Sequence, residues 1–127
     1  MEGLPRTLLI VDDEELVSDS LGSYFEALGC IVHTASSAEE ALEGLAEANP
    51  DAAIVDMRLP GMSGQEFLRA ARAKLPALKS LIYTGSLEYT LPQEFLALGM
   101  ANEHVFVKPV EDMKILADAL VSLMTTK

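Results

Sequence analysis

Hydrophobic and polar residues along the chain follow two different periods, and their alternation predicts five strands separated by helices. Short runs of apolar residues, bounded by turn-forming or polar residues, are typical of strands that are buried inside a parallel sheet. The strands predicted from these runs are TLLIV (7–11), IVHTA (31–35), AAIVD (52–56), SLIYT (80–84) and HVFV (104–107).

The segments between these strands carry apolar residues at spacings of three and four, which predicts amphipathic helices. The first helix has Val17, Leu21, Tyr24, Phe25 and Leu28 on one stripe and stops at Gly29; the second opens on the capping-box pattern Ser36–Glu40 and ends at Asn49-Pro50; the third begins near Ser63, with Glu66 as its box partner, and ends before Pro76; the fourth lies between Pro92 and Gly99; the last covers Glu111 to Met124.

Five βα units in succession predict an α/β fold in which helices cover both faces of a parallel sheet. The length suits a single doubly wound five-stranded sheet of order 2-1-3-4-5, as in flavodoxin-like folds, with the more polar second strand at an edge. No repeat, linker or low-complexity segment divides the sequence. We therefore expect one domain over residues 1–127, with no output domain in this chain.

Composition and charge narrow the possible partners. The 127 residues are 50% hydrophobic and carry a net charge of -11, and no Lys or Arg lies between Arg6 and Arg58. Such a surface repels phosphate backbones and anionic lipid, so direct nucleic-acid or membrane binding is not expected. One cysteine, Cys30, excludes an internal disulfide, and no apolar run approaches the ~18 residues of a membrane span. A soluble cytoplasmic protein is the expectation.

Charged and polar side chains collect at the carboxyl ends of the predicted strands. The stretch LLIVDDEE places Asp12 and Asp13 after the first strand, Asp56 and Thr84 end the third and fourth strands, and Lys108 follows the fifth. In an open parallel sheet, ligands bind beyond the carboxyl ends of the strands where the strand order reverses, which here lies between strands 1 and 3. Since adjacent strands lie ~4.8 Å apart, these side chains are expected to share one pocket.

Three carboxylates in one pocket require positive charge. Two such groups 4 Å apart repel each other by about 4 kcal/mol at an effective dielectric of 20. Mg²⁺, which prefers oxygen ligands, and the ammonium of Lys108 would both compensate this repulsion. A carboxylate beside Mg²⁺ and a lysine, with the Thr84 hydroxyl near, is suited to attack an electrophilic phosphorus, and Asp56 is the candidate nucleophile.

Four motifs in this order resemble the receiver domain of the bacterial two-component response-regulator family over essentially the whole chain. They are VDDEE (11–15), VDMRLPGMSG (55–64), YTG (83–85) and VKP (107–109). The resemblance implies that Asp56 is the phosphoacceptor. It also implies that Asp13 and Asp56 bind Mg²⁺ directly, that Asp12 acts through metal-bound water, and that the backbone carbonyl of Arg58 is the third protein ligand.

The resemblance further implies the mechanism and the partners. A histidine kinase or a His-containing phosphotransfer protein would donate the phosphoryl group, and the receiver would catalyse only its own phosphorylation and dephosphorylation. Thr84 would be the switch hydroxyl, and Lys108, whose bond to Pro109 is cis in the family, would pair with the phosphoryl group. Phosphorylation would reshape the face made by the fourth predicted helix, the fifth strand and the last helix, which then meets a downstream protein or a second copy.

The sequence departs from the family pattern at several positions. The usual aromatic residue three positions before the lysine is Val105 here, and Phe106 would point to the opposite side of the strand. Gly85 replaces the frequent alanine after the threonine. Arg58 and Ser86, two positions beyond Asp56 and Thr84, occupy places that tune phosphoryl lifetime in the family.

Two other classes of protein and one simpler interpretation compete with this hypothesis. A Mg²⁺-dependent phosphatase of the haloacid dehalogenase type also uses an aspartate nucleophile, but it needs the pattern D-x-D-x-[TV] after the first strand, where this chain has adjacent acids. A flavin or nucleotide module would need a glycine-rich phosphate loop there. For Glu14 and Glu15, an acidic first helical turn favoured by the helix dipole is a sufficient explanation.

Overall fold

The computed structural model describes residues 1–85, 89–97 and 99–125, and its helices and strands alternate as the hydrophobic pattern predicts. Their order along the chain is β1 (Thr7–Val11), α1 (Glu15–Ala27), β2 (Ile31–Ala35), α2 (Ala38–Glu43), α3 (Leu45–Ala48), β3 (Ala52–Val55), α4 (Gly64–Lys74), β4 (Lys79–Thr84), α5 (Gln93–Ala97), a 3-10 turn (Asn102–His104), β5 (Val105–Val107) and α6 (Lys114–Thr125).

The strands form one parallel sheet of order β2-β1-β3-β4-β5, which confirms the predicted topology. β1 lies between β2 and β3, with Val11 level with Ala35 on one side and Val55 on the other. At the other edge, Thr84 is level with Val107. This register brings the carboxyl ends of β1 and β3 side by side, at the reversal point where a ligand site was expected.

Two separate apolar cores lie on the two faces of the sheet. Alternate side chains of each strand point to opposite faces, so Leu9 and Val11 enter one core, while Leu8 and Ile10 enter the other. The first core is closed by α2, α3, α4 and α5, with Phe67 and Phe95 fully buried. The second is closed by α1 and α6. Burial on both faces explains why the strands are continuous apolar runs.

The second predicted helix is wrong in one respect, because the structure divides it into α2 and α3. Gly44 lies at the break with φ -91° and ψ 0°. Glycine disfavours a helix interior, since it loses more backbone entropy than other residues. The capping box expected there is half formed: the Ser37 hydroxyl accepts the Glu40 N–H at 3.1 Å, but the Glu40 carboxylate accepts the Ser36 hydroxyl.

Other element boundaries differ by a few residues. The third predicted helix is α4, with both halves of its capping box formed by Ser63 and Glu66. His104 belongs to the 3-10 turn rather than to β5. The last helix begins at Lys114 instead of Glu111, because the Asp112 side chain accepts the Lys114 N–H at 2.9 Å and holds a turn there. No helix in the described part of the chain combines the length and apolar character needed to cross a membrane.

Candidate functional site

Asp12 and Asp56 lie next to each other at the ends of β1 and β3, and the sheet itself places them there. The Asp12 N–H donates to the Ala35 carbonyl at 3.1 Å, and the Asp56 N–H donates to the Val11 carbonyl at 3.0 Å. Each aspartate thus continues the hydrogen-bonding pattern of its strand by one residue. Both are buried, at 3% and 4% exposure, so their carboxylates are largely removed from water.

Lys108 reaches this pair from the end of β5. Its N–H donates to the Thr84 carbonyl at 2.9 Å, which extends the pairing of β4 with β5. Its Nζ lies 2.7 Å from Asp12 Oδ2 and 3.0 Å from Asp56 Oδ2, and the side chain is only 9% exposed. One buried ammonium therefore bridges two carboxylates that come from different segments of the sequence.

The pKa values in the site follow from burial and charge. Burial raises the pKa of Asp12, and the hydrogen bond and charge of Lys108 offset only part of that effect. For Lys108, burial lowers the pKa, but the hydrogen bonds and charges of the two aspartates outweigh it and raise the pKa to about 12. Lys108 is therefore a permanent cation at neutral pH, held for its charge.

Asp13 completes an acidic trio, by which we mean Asp12, Asp13 and Asp56. One carboxylate oxygen from each lies within 4.8 Å of the others, and Asp13 is the exposed member. Three negative charges face the single ammonium of Lys108, so the trio keeps an uncompensated charge of about -2. Three hard oxygen donors at this separation and with this charge fit a divalent cation such as Mg²⁺.

The loop after β3 fixes the orientation of Asp56. Asp56 Oδ1 accepts the N–H of Arg58 at 3.1 Å, so the carboxylate is held between this backbone group and Lys108. The loop then enters α4 through Gly64, where an added Cβ would lie 2.1 Å from the Asp56 carbonyl oxygen. Only glycine allows this close approach of the two backbone segments.

Thr84 and its neighbour Tyr83 occupy the end of β4. Thr84 is fully buried, and its carbonyl holds the backbone of Lys108. Tyr83 places its ring 5.9 Å from Lys108 Nζ, and its hydroxyl accepts the Val110 N–H at 3.2 Å. The peptide bond between Lys108 and Pro109 is cis, as the family resemblance implied.

The structure brings together most of the predicted site residues. The acidic trio and Lys108 meet in one pocket, and Arg58 contacts Asp56 through its backbone. The Arg58 carbonyl as a ligand and the Thr84 hydroxyl as a switch stay predictions. Ser86, which was singled out for phosphoryl lifetime, lies outside the described residues.

Three contributors were missed by sequence reasoning. Glu14, assigned to the helix dipole alone, precedes α1 and has its Oε1 3.5 Å from Lys108 Nζ. Gly64 allows the start of α4 to approach the Asp56 backbone closely, and Tyr83 places its ring against the Lys108 ammonium. No local pattern indicates either role, because each depends on a contact with another segment of the folded chain.

The departure at Val105 has a clear structural consequence. Val105 is partly buried and packs against the core that contains Phe95, whereas Phe106 packs against the core that contains Phe25. Phe106 thus points to the opposite side of the strand, as predicted. The side chain at the usual aromatic position is therefore a small β-branched residue without a ring.

The chain is similar to known signalling proteins. The family model for the response regulator receiver domain matches residues 8–120. The two-component response regulator PhoP of Pseudomonas aeruginosa is 36% identical over 104 residues, which cover 82% of this chain and 45% of that protein. The transcriptional regulatory protein FixJ of Azorhizobium caulinodans is 30% identical over 122 residues, which cover 96% of this chain and 56% of that protein.

A solved structure agrees with the fold. The response regulator protein TrrA from Thermotoga maritima, crystallised in complex with Mg(2+)-BeF, superposes with a TM-score of 0.76 at 27% identity, over 93% of this chain and 98% of that one. This chain spans about half the length of PhoP and FixJ. With the family model covering nearly the whole sequence and the sheet order in agreement, the chain belongs to the response regulator receiver domain family.

Proposed function

We propose that this receiver domain accepts a phosphoryl group on Asp56 from a histidine kinase or a His-containing phosphotransfer protein, with Mg²⁺ bound at the acidic trio. Receiver domains of two-component response regulators serve phosphorylation-dependent signalling, and they are signalling domains rather than classical enzymes. The observation that supports Asp56 as the acceptor is its position: a buried carboxylate at the end of β3, within 3.0 Å of the Lys108 ammonium.

The chemistry proposed for Asp56 is nucleophilic attack by one carboxylate oxygen on phosphorus. A new O–P bond forms while the P–N bond to the donor histidine breaks, and the electron pair of that bond stays on the histidine nitrogen. The Arg58 N–H holds Asp56 Oδ1, which leaves the carboxylate in a defined orientation before the donor arrives. When bound, Mg²⁺ would supply positive charge close to the developing phosphoryl oxygens.

Lys108 is proposed to hold a phosphoryl oxygen after the transfer. Its ammonium already contacts Asp56 Oδ2 and is buried, so its interaction with added negative charge is screened little by solvent. The cis bond to Pro109 and the hydrogen bond from Val110 to Tyr83 shape the turn that follows the lysine. In the unphosphorylated state the Lys108 ammonium pairs with Asp12 and Asp56. In the phosphorylated state the same ammonium would pair with the phosphoryl group.

The proposed output surface consists of α5, β5 and α6. Leu96, Val107 and Ile115, which lie on these three elements, are exposed at 42%, 37% and 42%. Exposed apolar side chains on adjoining elements suit contact with a downstream protein or a second copy of the chain. Thr84, at the end of the neighbouring strand β4, is proposed to link this surface to the phosphorylation state of Asp56.

The phosphatase alternative has no support in the family match or in the relatives described above. The acids after β1 are adjacent, whereas the phosphatase pattern requires a residue between them. A switch and a phosphatase also differ in what they release. A receiver forms one labile adduct per molecule, whereas a phosphatase liberates phosphate from many molecules of substrate.

Incubation with acetyl phosphate and Mg²⁺, followed by intact-mass measurement, tests the proposal. We expect a mass gain of one phosphoryl group in the wild type and in Asp19→Asn, an exposed aspartate of α1. The gain should disappear with EDTA and in Asp56→Asn. A gain that persists in Asp56→Asn would identify another acceptor and refute the assignment. Sustained release of phosphate from phosphomonoesters would favour the enzyme instead.

A further inference from the structure

The tip of the loop between Asp56 and α4 is held by a residue far away in the sequence. The Met62 N–H donates to Glu39 Oε2 at 3.1 Å, across 23 residues. Glu39 lies in the first turn of α2, which packs against the same core as this loop. This backbone hydrogen bond lowers the pKa of the Glu39 carboxyl, so the group is ionised when it accepts the bond.

Gly61 shows how closely the loop approaches that carboxylate. Its φ is +76°, a value that non-glycine residues rarely adopt, and an added Cβ would lie 2.7 Å from Glu39 Oε2. The preceding residue is Pro60, and a proline followed by a glycine with positive φ is typical of a type II turn. The turn presents the Met62 N–H to Glu39, so glycine serves both the backbone conformation and the contact.

The loop is also anchored at both of its ends, and Glu39 contacts the tip between these two anchors. At the start, the Arg58 N–H is bonded to Asp56 Oδ1, and Met57 and Leu59 are buried at 7% and 8% exposure. At the end, Ser63 and its capping box anchor the loop to α4. Between these anchors, the contact with Glu39 sets the position of the tip. Arg58 lies only three residues before Gly61, so the tip and the backbone of Arg58 belong to the same short loop.

We propose that Glu39 is a positioning residue for phosphoryl acceptance: its carboxylate fixes the loop between Asp56 and α4, and thereby the backbone of Arg58 beside the acidic trio. This inference rests on the proposed function, since it assigns a role in the same reaction. Glu39 itself contacts neither the trio nor Lys108 through any hydrogen bond or ion pair in the described part of the chain. Its effect is exerted through the loop, and residues that orient a metal site without touching the metal commonly affect metal affinity and activity.

The test compares Glu39→Ala and Glu39→Gln with Glu43→Ala, an exposed glutamate one turn further along α2. The rate of Asp56 phosphorylation by acetyl phosphate and the dissociation constant for Mg²⁺ are measured well below the unfolding temperature. We expect Glu39→Ala to slow phosphorylation and weaken Mg²⁺ binding, each on the order of tenfold. Glu39→Gln, whose amide oxygen still accepts the Met62 N–H, should recover most of the loss, and Glu43→Ala should match the wild type.

Gly61→Ala provides an independent variant that acts on the same contact from the loop side. Because both changes disrupt one contact, the effects of Gly61→Ala and Glu39→Ala on the rate should overlap, and the rate loss of the double variant should be clearly smaller than the product of the two single losses. Strict additivity, or a Glu39→Ala protein that loses stability but keeps the wild-type rate and Mg²⁺ affinity, would overturn the inference. A wild type that accepts no phosphoryl group would overturn the proposed function itself, and the inference with it.

Discussion

The uncompensated charge of the acidic trio predicts that one substitution has opposite effects with and without metal. Asp13 is the member to change, because Lys108 contacts Asp12, Asp56 and Glu14 among the described residues but forms no ion pair with Asp13. Asp13→Asn therefore removes repulsion from two close carboxylates without breaking an ion pair of Lys108. The same change deletes one of the oxygen anions that a divalent cation would bind.

The magnitude follows from the geometry. At 4.8 Å, the upper limit of the separations in the trio, two carboxylates repel by about 3.5 kcal/mol at a dielectric of 20 and by about 0.9 kcal/mol at that of water. Asp13 is exposed, so solvent screens its charge, and the lower repulsion applies both to its pair with Asp12 and to its pair with Asp56. In the absence of metal, Asp13→Asn should raise the free energy of unfolding by about 2 kcal/mol.

The assay is urea denaturation followed by circular dichroism, in EDTA and in excess MgCl₂. Metal that binds only the folded state adds stability by mass action, so the wild type should gain stability in MgCl₂ and Asp13→Asn should gain much less. The difference in free energy of unfolding between the two proteins should therefore shrink or change sign between EDTA and MgCl₂. Asp19→Asn, which removes an exposed charge outside the trio, is the control and should respond to MgCl₂ like the wild type. Equal destabilisation of Asp13→Asn in both conditions would refute the electrostatic argument.

Three further predictions follow. The pKa of Lys108 is raised to about 12 in the folded protein, so the charged lysine contributes about 2 kcal/mol of stability, complete below pH 10.5 and lost as the pH rises towards 12. The difference in free energy of unfolding between the wild type and Lys108→Met should therefore shrink over that range, and a constant difference would contradict the prediction. Gly64→Ala should lower the free energy of unfolding by about 3 kcal/mol in urea, since its Cβ would meet the Asp56 carbonyl oxygen, whereas Gly44→Ala, with 3.8 Å to its nearest neighbour, should cost nothing; similar losses in both would argue against the close approach. Ser63→Ala should lower the free energy of unfolding by about 1 kcal/mol because it removes the cap of α4, whereas Ser63→Asp, which can still cap the helix, should keep most of the wild-type stability. Unchanged stability in both variants would mean that the cap is dispensable.

Much of the fold was predictable because the hydrophobic pattern and the fold depend on the same burial. The strands of a parallel sheet are covered on both faces, so their residues form unbroken apolar runs that stand out from the amphipathic helices. The predicted sheet order is confirmed, and strand bounds at β1 and β2 agree with the structure. The errors lie at element ends, at Gly44, His104 and Asp112, where a single hydrogen bond or one glycine decides.

The candidate site was predictable to a similar degree and for a related reason. Residues that directly follow parallel strands must meet at one edge of the sheet, so the positions of the acidic trio and Lys108 follow from the topology. The distances could not be predicted. The ammonium lies 2.7 Å from Asp12 and 3.0 Å from Asp56, and Glu14 lies at its margin, because side-chain rotamers and packing determine those contacts.

Local periodicity and chain order account for the order of the elements, for the parallel sheet, and for the acids and the lysine at its carboxyl edge. Three contacts arise only in the folded chain: Glu39 bonds to the tip of the loop at Met62, Gly64 lies against the backbone of Asp56, and Tyr83 supports the turn after Lys108. These contacts join residues that lie 8 to 27 positions apart in the sequence, through hydrogen bonds and close approaches that leave no periodic pattern in either segment. Burial affects many residues at regular spacings, so it produces a pattern in the sequence. A single long-range contact involves only two residues, so it can be recognised only in the folded chain.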